Sequence, residues 1–428
     1  MEPYFENYEE AKVTAANASK AFQPRTPITT KDLFAGRWTE LTKISDAVNH
    51  TGLHVVIYGE RGVGKTSLAN VVSPTIRALD ARDKGSPAAQ PRIVVKTIGN
   101  TDDTFSTLWD KLLSEITWPK NESGIGLATD AKINQRSTRD AFSLPETLAV
   151  DHIRRVLSSL PGSVFIVDEF DRTADGTSKH MTDLIKTLSD MGVDCTVIIV
   201  GVSETVSSLI EDHASISRAL VQIPLPRMKP DELRVILTNG EKTLGMKFTE
   251  SAANLIVHVS QGLPHYTHLI ALHSVRKAAT SRLSKLVEQS DVFDALKEAV
   301  KEAEQTVTQE HSSATHSSHK DALYRQVLLA CALAAARTHD SLGYFNPSEV
   351  VEPLRGILNR DVSIATFTNH LREFSQEKRG SVLERDGQPW GFRYRFQDPL
   401  LVPYTFMNAV ESGLLSGEAL VQMLNQDA

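Results

Sequence analysis

Between Leu53 and Ala81 the chain passes from an apolar strand-like run, Leu53-His-Val-Val-Ile-Tyr58, into Gly59-Glu-Arg-Gly-Val-Gly64-Lys65-Thr66, and then into a helix-like stretch, Ser67–Ala81. This is GxxxxGK[ST] in its strand–loop–helix setting, and a chance match in a chain of this composition is on the order of one per cent. The glycines let the backbone curl so that amide N–H groups converge on phosphate oxygens, and the following helix adds the positive end of its dipole. Gly59, Glu60, Arg61, Gly62, Val63, Gly64, Lys65, Thr66 and Ser67 are thereby expected to line a nucleoside phosphate. Lys65 would reach the β- and γ-phosphates, and the Thr66 hydroxyl would hold Mg²⁺. The loop alone does not separate ATP from GTP.

A strand feeding a helix through such a loop belongs to an open parallel sheet, and the text up to Met228 agrees. Short β-branched runs (His54–Tyr58, Arg92–Ile98, Ser163–Val167 and Cys195–Val202) alternate with longer amphipathic stretches, and Asp83–Pro91 and Asn121–Arg139 read as surface loops. The third run continues as Val164-Phe-Ile-Val-Asp168-Glu169-Phe170-Asp171, which sets carboxylates at the carboxyl edge of a buried strand, where open α/β sheets bind ligands. Asp168 is expected to support Mg²⁺, and Glu169 to orient and deprotonate the attacking water.

The length of 428 residues, with 41% hydrophobic and 23% charged content, suits about three globular domains. A net charge of −7 argues against extensive, non-specific coating of nucleic acid, though not against a local basic patch. Two cysteines, Cys195 and Cys331, exclude a disulfide scaffold or an all-thiolate zinc site. The longest uncharged apolar stretch, Val327–Ala336, is about half a membrane span, and the acidic start MEPYFENYEE does not read as a signal peptide, so a cytoplasmic chain without a membrane partner is expected.

The division that follows is 1–31, a polar lead-in; 32–228, the P-loop core; 229–308, an all-α lid in which strands vanish; 309–319, a linker by composition; and 320–428. His311, His316, His319 and His339 invite a metal reading, but no acidic or thiol partners stand at ligand spacing. In the last part Ala322–Ala336, Pro347–Leu358 and Ser363–Gln376 read as helices. Ser381–Arg385 and Gly391–Phe396 then read as a hairpin through Asp386-Gly387-Gln388-Pro389. Three helices and a hairpin make a winged helix. The fold class is α/β: a P-loop parallel sheet with helices on both faces, then the lid, then the C-terminal winged helix.

Further motifs make the resemblance specific. Phe34-Ala-Gly-Arg-Trp-Thr-Glu-Leu41 resembles the FxGRxxEL box of the AAA+ and STAND ATPases, and is most similar to the origin-recognition and archaeal replication-initiator clade. The resemblance implies ATP or ADP as the nucleotide, with Gly36 and Arg37 near the adenine. It implies a sensor-1 hydroxyl at Ser203, and an arginine finger at Arg218 that reaches a neighbouring subunit's γ-phosphate. Initiators of that clade carry a sensor-2 arginine where this chain has Gln261-Gly-Leu-Pro-His265. Gly-Leu-Pro instead is similar to the GxP motif of STAND proteins, which assigns Pro264 and His265 to the nucleotide and suggests slow Mg²⁺-dependent hydrolysis.

Two functions follow from the resemblance. In the first, an ATP-assembled homo-oligomer acts on double-stranded DNA through the winged helix. Arg372, Lys378, Arg379, Arg385, Arg393 and Arg395 would face phosphate, although Glu373, Glu377, Glu384 and Asp386 leave a surplus of only two. In the second, a STAND-like signalling or antiphage-defence switch uses the winged helix as an autoinhibitory element, and a partner protein is the effector. Trp390, Phe392, Tyr394 and Phe396 read as core packing of the wing rather than base stacking. A metabolic kinase is the weakest reading, since no acceptor-substrate domain is evident.

Overall fold

The computed structural model describes residues 4–28, 35–82, 91–119, 135–211, 213–319, 322–338, 340, 343–388 and 391–425. Phe34, His339, Trp390 and most of the two expected loops, 83–90 and 120–134, lie outside them. By internal contacts the chain forms two units. One is Ile28–Glu60 with Gly64–Pro226, and the other is Met1–Pro27, Arg61–Val63 and Arg227–Ala428.

The first unit is built on five parallel strands: β1 (His54–Gly59), β2 (Ile93–Ile98), β3 (Ser163–Asp168), β4 (Cys195–Val202) and β5 (Leu220–Pro224), in the order β2-β3-β4-β1-β5. The central strands are covered on both faces, which is why Val55–Ile57, Val164–Val167 and Val197–Val200 are unbroken apolar runs with no solvent exposure. From β1 the chain crosses to the far edge and works back, so the strand order reverses at β1, and the loop after β1 opens at that switch point. Helices such as Phe105–Ser114 cover the sheet; its Trp109 packs on Phe165 with ring centres 5.2 Å apart.

The four strand-like runs each become a strand. Sequence reading missed β5, a short edge strand ending in proline, where alternation over five residues gives little signal. Residues 135–139, the described end of the second expected loop, are strand and helix rather than loop. Thr117–Pro119 pairs with Gln135–Ser137, and the buried Thr138 hydroxyl donates to the Leu113 and Ile116 carbonyls. Both cysteine thiols are buried, and burial pushes Cys195 up to about 12.

The second unit corrects two expectations. The lead-in is a core element: Tyr8–Ala21 is a helix whose Ala11, Ala15, Ala18 and Ala21 make a buried stripe against Pro264–Arg282 and Pro230–Leu244. Phe22 follows, fully buried on Gly240, where an added Cβ would come within 2.0 Å of its ring. Alanine hides such a stripe from a composition reading, because it is small and only weakly apolar. The linker is the other correction: Gln305–Thr315 is a helix with Val307, His311 and Ala314 buried at i, i+4 and i+7. Counting the histidine as polar concealed the stripe. Strands do not wholly vanish from the lid either, since Lys247–Phe248 pairs with Leu286–Val287.

Three helices, Tyr324–Arg337, Pro347–Leu358 and Ile364–Phe374, precede an antiparallel hairpin of Leu383–Asp386 and Arg393–Phe396. Tyr394 and Phe396 are buried, as core packing requires, and Phe345 adds a bridge to Tyr394. The helix Leu401–Glu411, almost wholly buried, and the helix Gly417–Asn425 complete this part. No described helix is long and apolar enough to cross a membrane.

Candidate nucleotide site

β1 ends at Gly59, where a Cβ would stand 2.4 Å from the Leu225 carbonyl oxygen, so only glycine lets the loop leave the sheet beside β5. The loop turns through left-handed Gly62 and Gly64 (φ 83° and 96°) into the helix Lys65–Arg82. Val63 is buried. Lys65 donates to the carbonyls of Gly59 (2.9 Å) and Glu60 (2.7 Å). Burial lowers its ammonium to about 8, partly offset by Asp171, Asp168 and Glu60. A cation held this dry by two carbonyls is poised for a stronger acceptor, and phosphate oxygens are one.

Asp168, 2% exposed at the end of β3, accepts from the Thr66 hydroxyl at 3.4 Å and from the Glu169 N–H at 3.0 Å, both on Oδ1. A hydroxyl and a carboxylate so placed are the hard oxygen donors that Mg²⁺ prefers, so these residues fit the ion. On the other side, Lys96 Nζ lies 2.8 Å from Oδ2. This is charge pairing, since no well-angled hydrogen bond reaches that oxygen. Glu169 is left-handed (φ 53°), a conformation that costs a non-glycine residue energy and that the surrounding structure must enforce. Its half-exposed carboxylate takes the Arg172 guanidinium at 2.7 Å.

Ser203 follows β4. Its N–H meets the Gly59 carbonyl at 3.4 Å, while its hydroxyl donates to the Thr205 carbonyl at 2.7 Å and pairs with Ser208 at 2.6 Å. Asp171 fixes that strand end, accepting the Val202 N–H at 2.8 Å. Ser67 accepts the Ile28 N–H at 3.1 Å. Gly36 and Arg37 form a left-handed pair, and the buried Arg37 guanidinium donates to the Pro226 carbonyl and lies 3.6 Å from Glu40. That side chain is employed in tying the box to the segment after β5. Arg218 is exposed in the turn before β5.

In the other unit, Arg61 donates to Asp398 at 2.7 Å and pairs with Glu304. A Cβ on Gly62 would stand 2.8 Å from the Leu400 side chain, and Tyr266 donates to the Leu400 carbonyl at 2.8 Å. Pro264 opens its helix after a left-handed Gln261-Gly262 turn. His265 Nδ1 donates to the Pro24 carbonyl at 2.8 Å, and burial lowers its pKa. Of the six wing and helix cations, Arg379 lies over the Tyr324 ring and donates to the His316 carbonyl, with Glu373 3.5 Å away. Arg393 pairs with Asp386, Arg395 pairs with Glu384, and Arg385 lies over Phe392. Arg372 and Lys378 are exposed. No group of side chains able to hold a metal through three His, Cys, Asp or Glu residues occurs among the described residues.

Sequence reasoning missed Lys96 and both acceptors of Arg61. A lysine inside Ile-Val-Val-Lys-Thr-Ile was the available signal for the first, since a charge inside a strand of a covered sheet needs a partner. Asp398 and Glu304 lie hundreds of residues from Arg61, and nothing in the sequence joins them.

No curated protein matches the chain. Among solved structures it resembles a Walker-type ATPase of Pyrococcus abyssi (14% identity, 89% of this chain and 98% of that one, TM-score 0.49). It also resembles the Aeropyrum pernix ORC2 protein, determined as ADPNP–ADP complexes (15%, 95% and 97%, 0.48), and Cdc6p from Pyrobaculum aerophilum (15%, 94% and 98%, 0.44). Overlaps of this size carry no functional argument. The family model described as Novel STAND NTPase 1 matches residues 20–340, three-quarters of the chain, and to that family of P-loop NTPases the chain belongs.

Proposed function

We propose that the chain is an ATP-operated switch, held at rest by carboxylates paired with Arg61 of its phosphate loop and released when ATP takes their place. The observation that carries this reading is Arg61 at the crown of the loop, paired with Asp398 just beyond the wing and with Glu304 before the helix Gln305–Thr315. A triphosphate brings more negative charge to the loop than a diphosphate. It therefore competes better for Arg61, and that difference is what a switch must read.

In this reading Gly59–Ser67 bind the phosphates and Lys65 moves from its carbonyls onto them. Thr66 and Asp168 hold Mg²⁺, which when bound would neutralise phosphate charge. Glu169, once parted from Arg172, accepts the proton of the attacking water. Ser203 steadies the γ-phosphate side, and Gly36, Arg37, Pro264 and His265 serve the adenine side. Arg218, exposed, is available to the nucleotide of a second copy in an ATP-bound homo-oligomer. The signalling output belongs to a partner protein.

The DNA reading is supported less well. Three of the four acidic residues that reduce the basic surplus, Glu373, Glu384 and Asp386, lie on the cations themselves, so Arg379, Arg393 and Arg395 already have acceptors. Particle mass by light scattering, with ADP and with a non-hydrolysable ATP analogue, tests the proposal, alongside duplex-DNA binding at low salt. A mass that rises only with the ATP analogue, without DNA affinity, is expected. Equal mass with both nucleotides would overturn the switch. Salt-sensitive DNA binding lost in Arg379→Glu and Arg393→Glu would favour the initiator-like function.

A further inference from the structure

We propose that Lys96 is an internal counter-ion of Asp168 that Mg²⁺ must displace, so that this lysine sets how much Mg²⁺ the nucleotide-loaded site requires. The inference rests on the nucleotide reading of the loop.

Asp168 is buried, and burying a carboxylate is costly unless a cation or hydrogen-bond donors offset the lost water. β2 supplies the cation. In the parallel register Lys96 stands opposite Ile166, two residues before Asp168 on the same face of β3, so its four-carbon stem reaches diagonally to Oδ2. The ammonium is gripped from the other side by Asn70 Oδ1 at 2.6 Å, on the helix that also carries Thr66. Asn70, Lys96, Asp168 and Thr66 thus form one polar chain between that helix and two strands. Lys65, the other nearby cation, is turned onto its own loop carbonyls. With the Lys96 charge at Oδ2 and the Thr66 hydroxyl and Glu169 N–H at Oδ1, both carboxylate oxygens have positive partners before any metal arrives.

Two consequences follow. The loop is assembled without metal, because its acidic residue is already neutralised. A divalent ion between Thr66 and Asp168 then meets a resident positive charge bound to the same carboxylate, and must weaken that pairing to bind. Both the repulsion and the competition raise the Mg²⁺ concentration needed, and both disappear when the ammonium does.

The probe is Mg²⁺ itself, titrated into the full chain loaded with a fluorescent ADP in metal-free buffer, read by fluorescence and by melting temperature. Lys96→Met is expected to lower the Mg²⁺ midpoint about tenfold, equivalent to about 1.4 kcal/mol. It should also melt lower than native without metal and regain the loss with Mg²⁺ and nucleotide. Lys96→Arg keeps the charge and should keep the native midpoint. Lys96→Gln retains a donor without charge and should shift as the methionine variant does. An unchanged or higher midpoint in the uncharged variants overturns the proposal. So does failure of both to fold even with Mg²⁺ and nucleotide, since the metal would then not replace the lysine. If the native chain binds no fluorescent ADP, the nucleotide reading falls and takes this inference with it. Nucleotide binding with an unmoved midpoint overturns this inference alone.

Discussion

Asp398→Asn is the sharpest perturbation of the proposed resting state. Asp398 does two things: Oδ2 accepts from Arg61 at 2.7 Å, and Oδ1 accepts the Leu400 N–H at 2.9 Å, which shapes the turn after the wing. Asparagine can keep the second and the side-chain volume while removing the charge. A charge-assisted hydrogen bond is roughly twice as strong as a neutral one, and the Arg61 side chain is 42% exposed, so the loss is about 1 kcal/mol rather than the several of a buried pair. That is about fivefold in the ratio of held to released loop. Glu304 shares the same guanidinium, so adding Glu304→Gln should bring the total toward 2 kcal/mol, about thirtyfold, with the two effects coupled rather than additive. Since the carboxylates and the phosphates compete for Arg61, the dissociation constant of a fluorescent non-hydrolysable ATP analogue falls by up to those factors. Asp386→Asn, which loosens a pair within the wing, should leave it alone. A double variant that binds the analogue within twofold of native, while melting normally, would refute the idea that these carboxylates hold the loop.

Lys65→Ala is expected to abolish nucleotide binding in equilibrium titration, because no other described ammonium sits within the loop. Glu169→Gln should bind ATP with near-native affinity and lose turnover at least a hundredfold in phosphate release; unchanged turnover would remove it as the base. Phe22→Ala should cost about 3–5 kcal/mol in denaturant unfolding of the second unit, since the ring is fully buried on Gly240, and a cost below about 1 kcal/mol would return the lead-in to the surface. His268 and His311 are buried neutral, with desolvation lowering each to about 4. The unfolded chain takes up protons near pH 6.5 where the fold does not, so stability is full above that pH and falls toward pH 4 by up to about 1.4 kcal/mol per pH unit for each histidine. A flat stability profile between pH 7 and 5 would contradict their burial.

What was legible in the sequence was whatever local physics writes into adjacent residues. The loop at Gly59–Thr66 announces itself because glycine conformation, phosphate geometry and helix start must all fall within eight residues. The covered strands announce themselves because burial on both faces forbids polar residues in a run. The elements missed obey the same rules with weaker lettering. The helix Tyr8–Ala21 presents a stripe of alanines, and Gln305–Thr315 hides a buried histidine inside a polar text. β5 has only five residues in which to alternate.

The contacts that most affect the functional reading were illegible for a different reason. Arg61 sits at a variable position of the phosphate-loop pattern, where any side chain permits the turn, so the pattern attaches no meaning to it. Its meaning comes from Asp398 and Glu304, which reach it only through the folded chain. Lys96 is the intermediate case. A charge inside an apolar strand could be recognised as an anomaly from sequence, but its partner could not be chosen among Asp168, Glu169 and Asp171 until the β2–β3 register was known. A one-residue slip would turn Lys96 to the opposite face of the sheet and leave Asp168 without its cation. The register is therefore part of the chemistry of this site, and the contacts of Lys96 and of Arg61 come from the fold, where no local motif could have carried them.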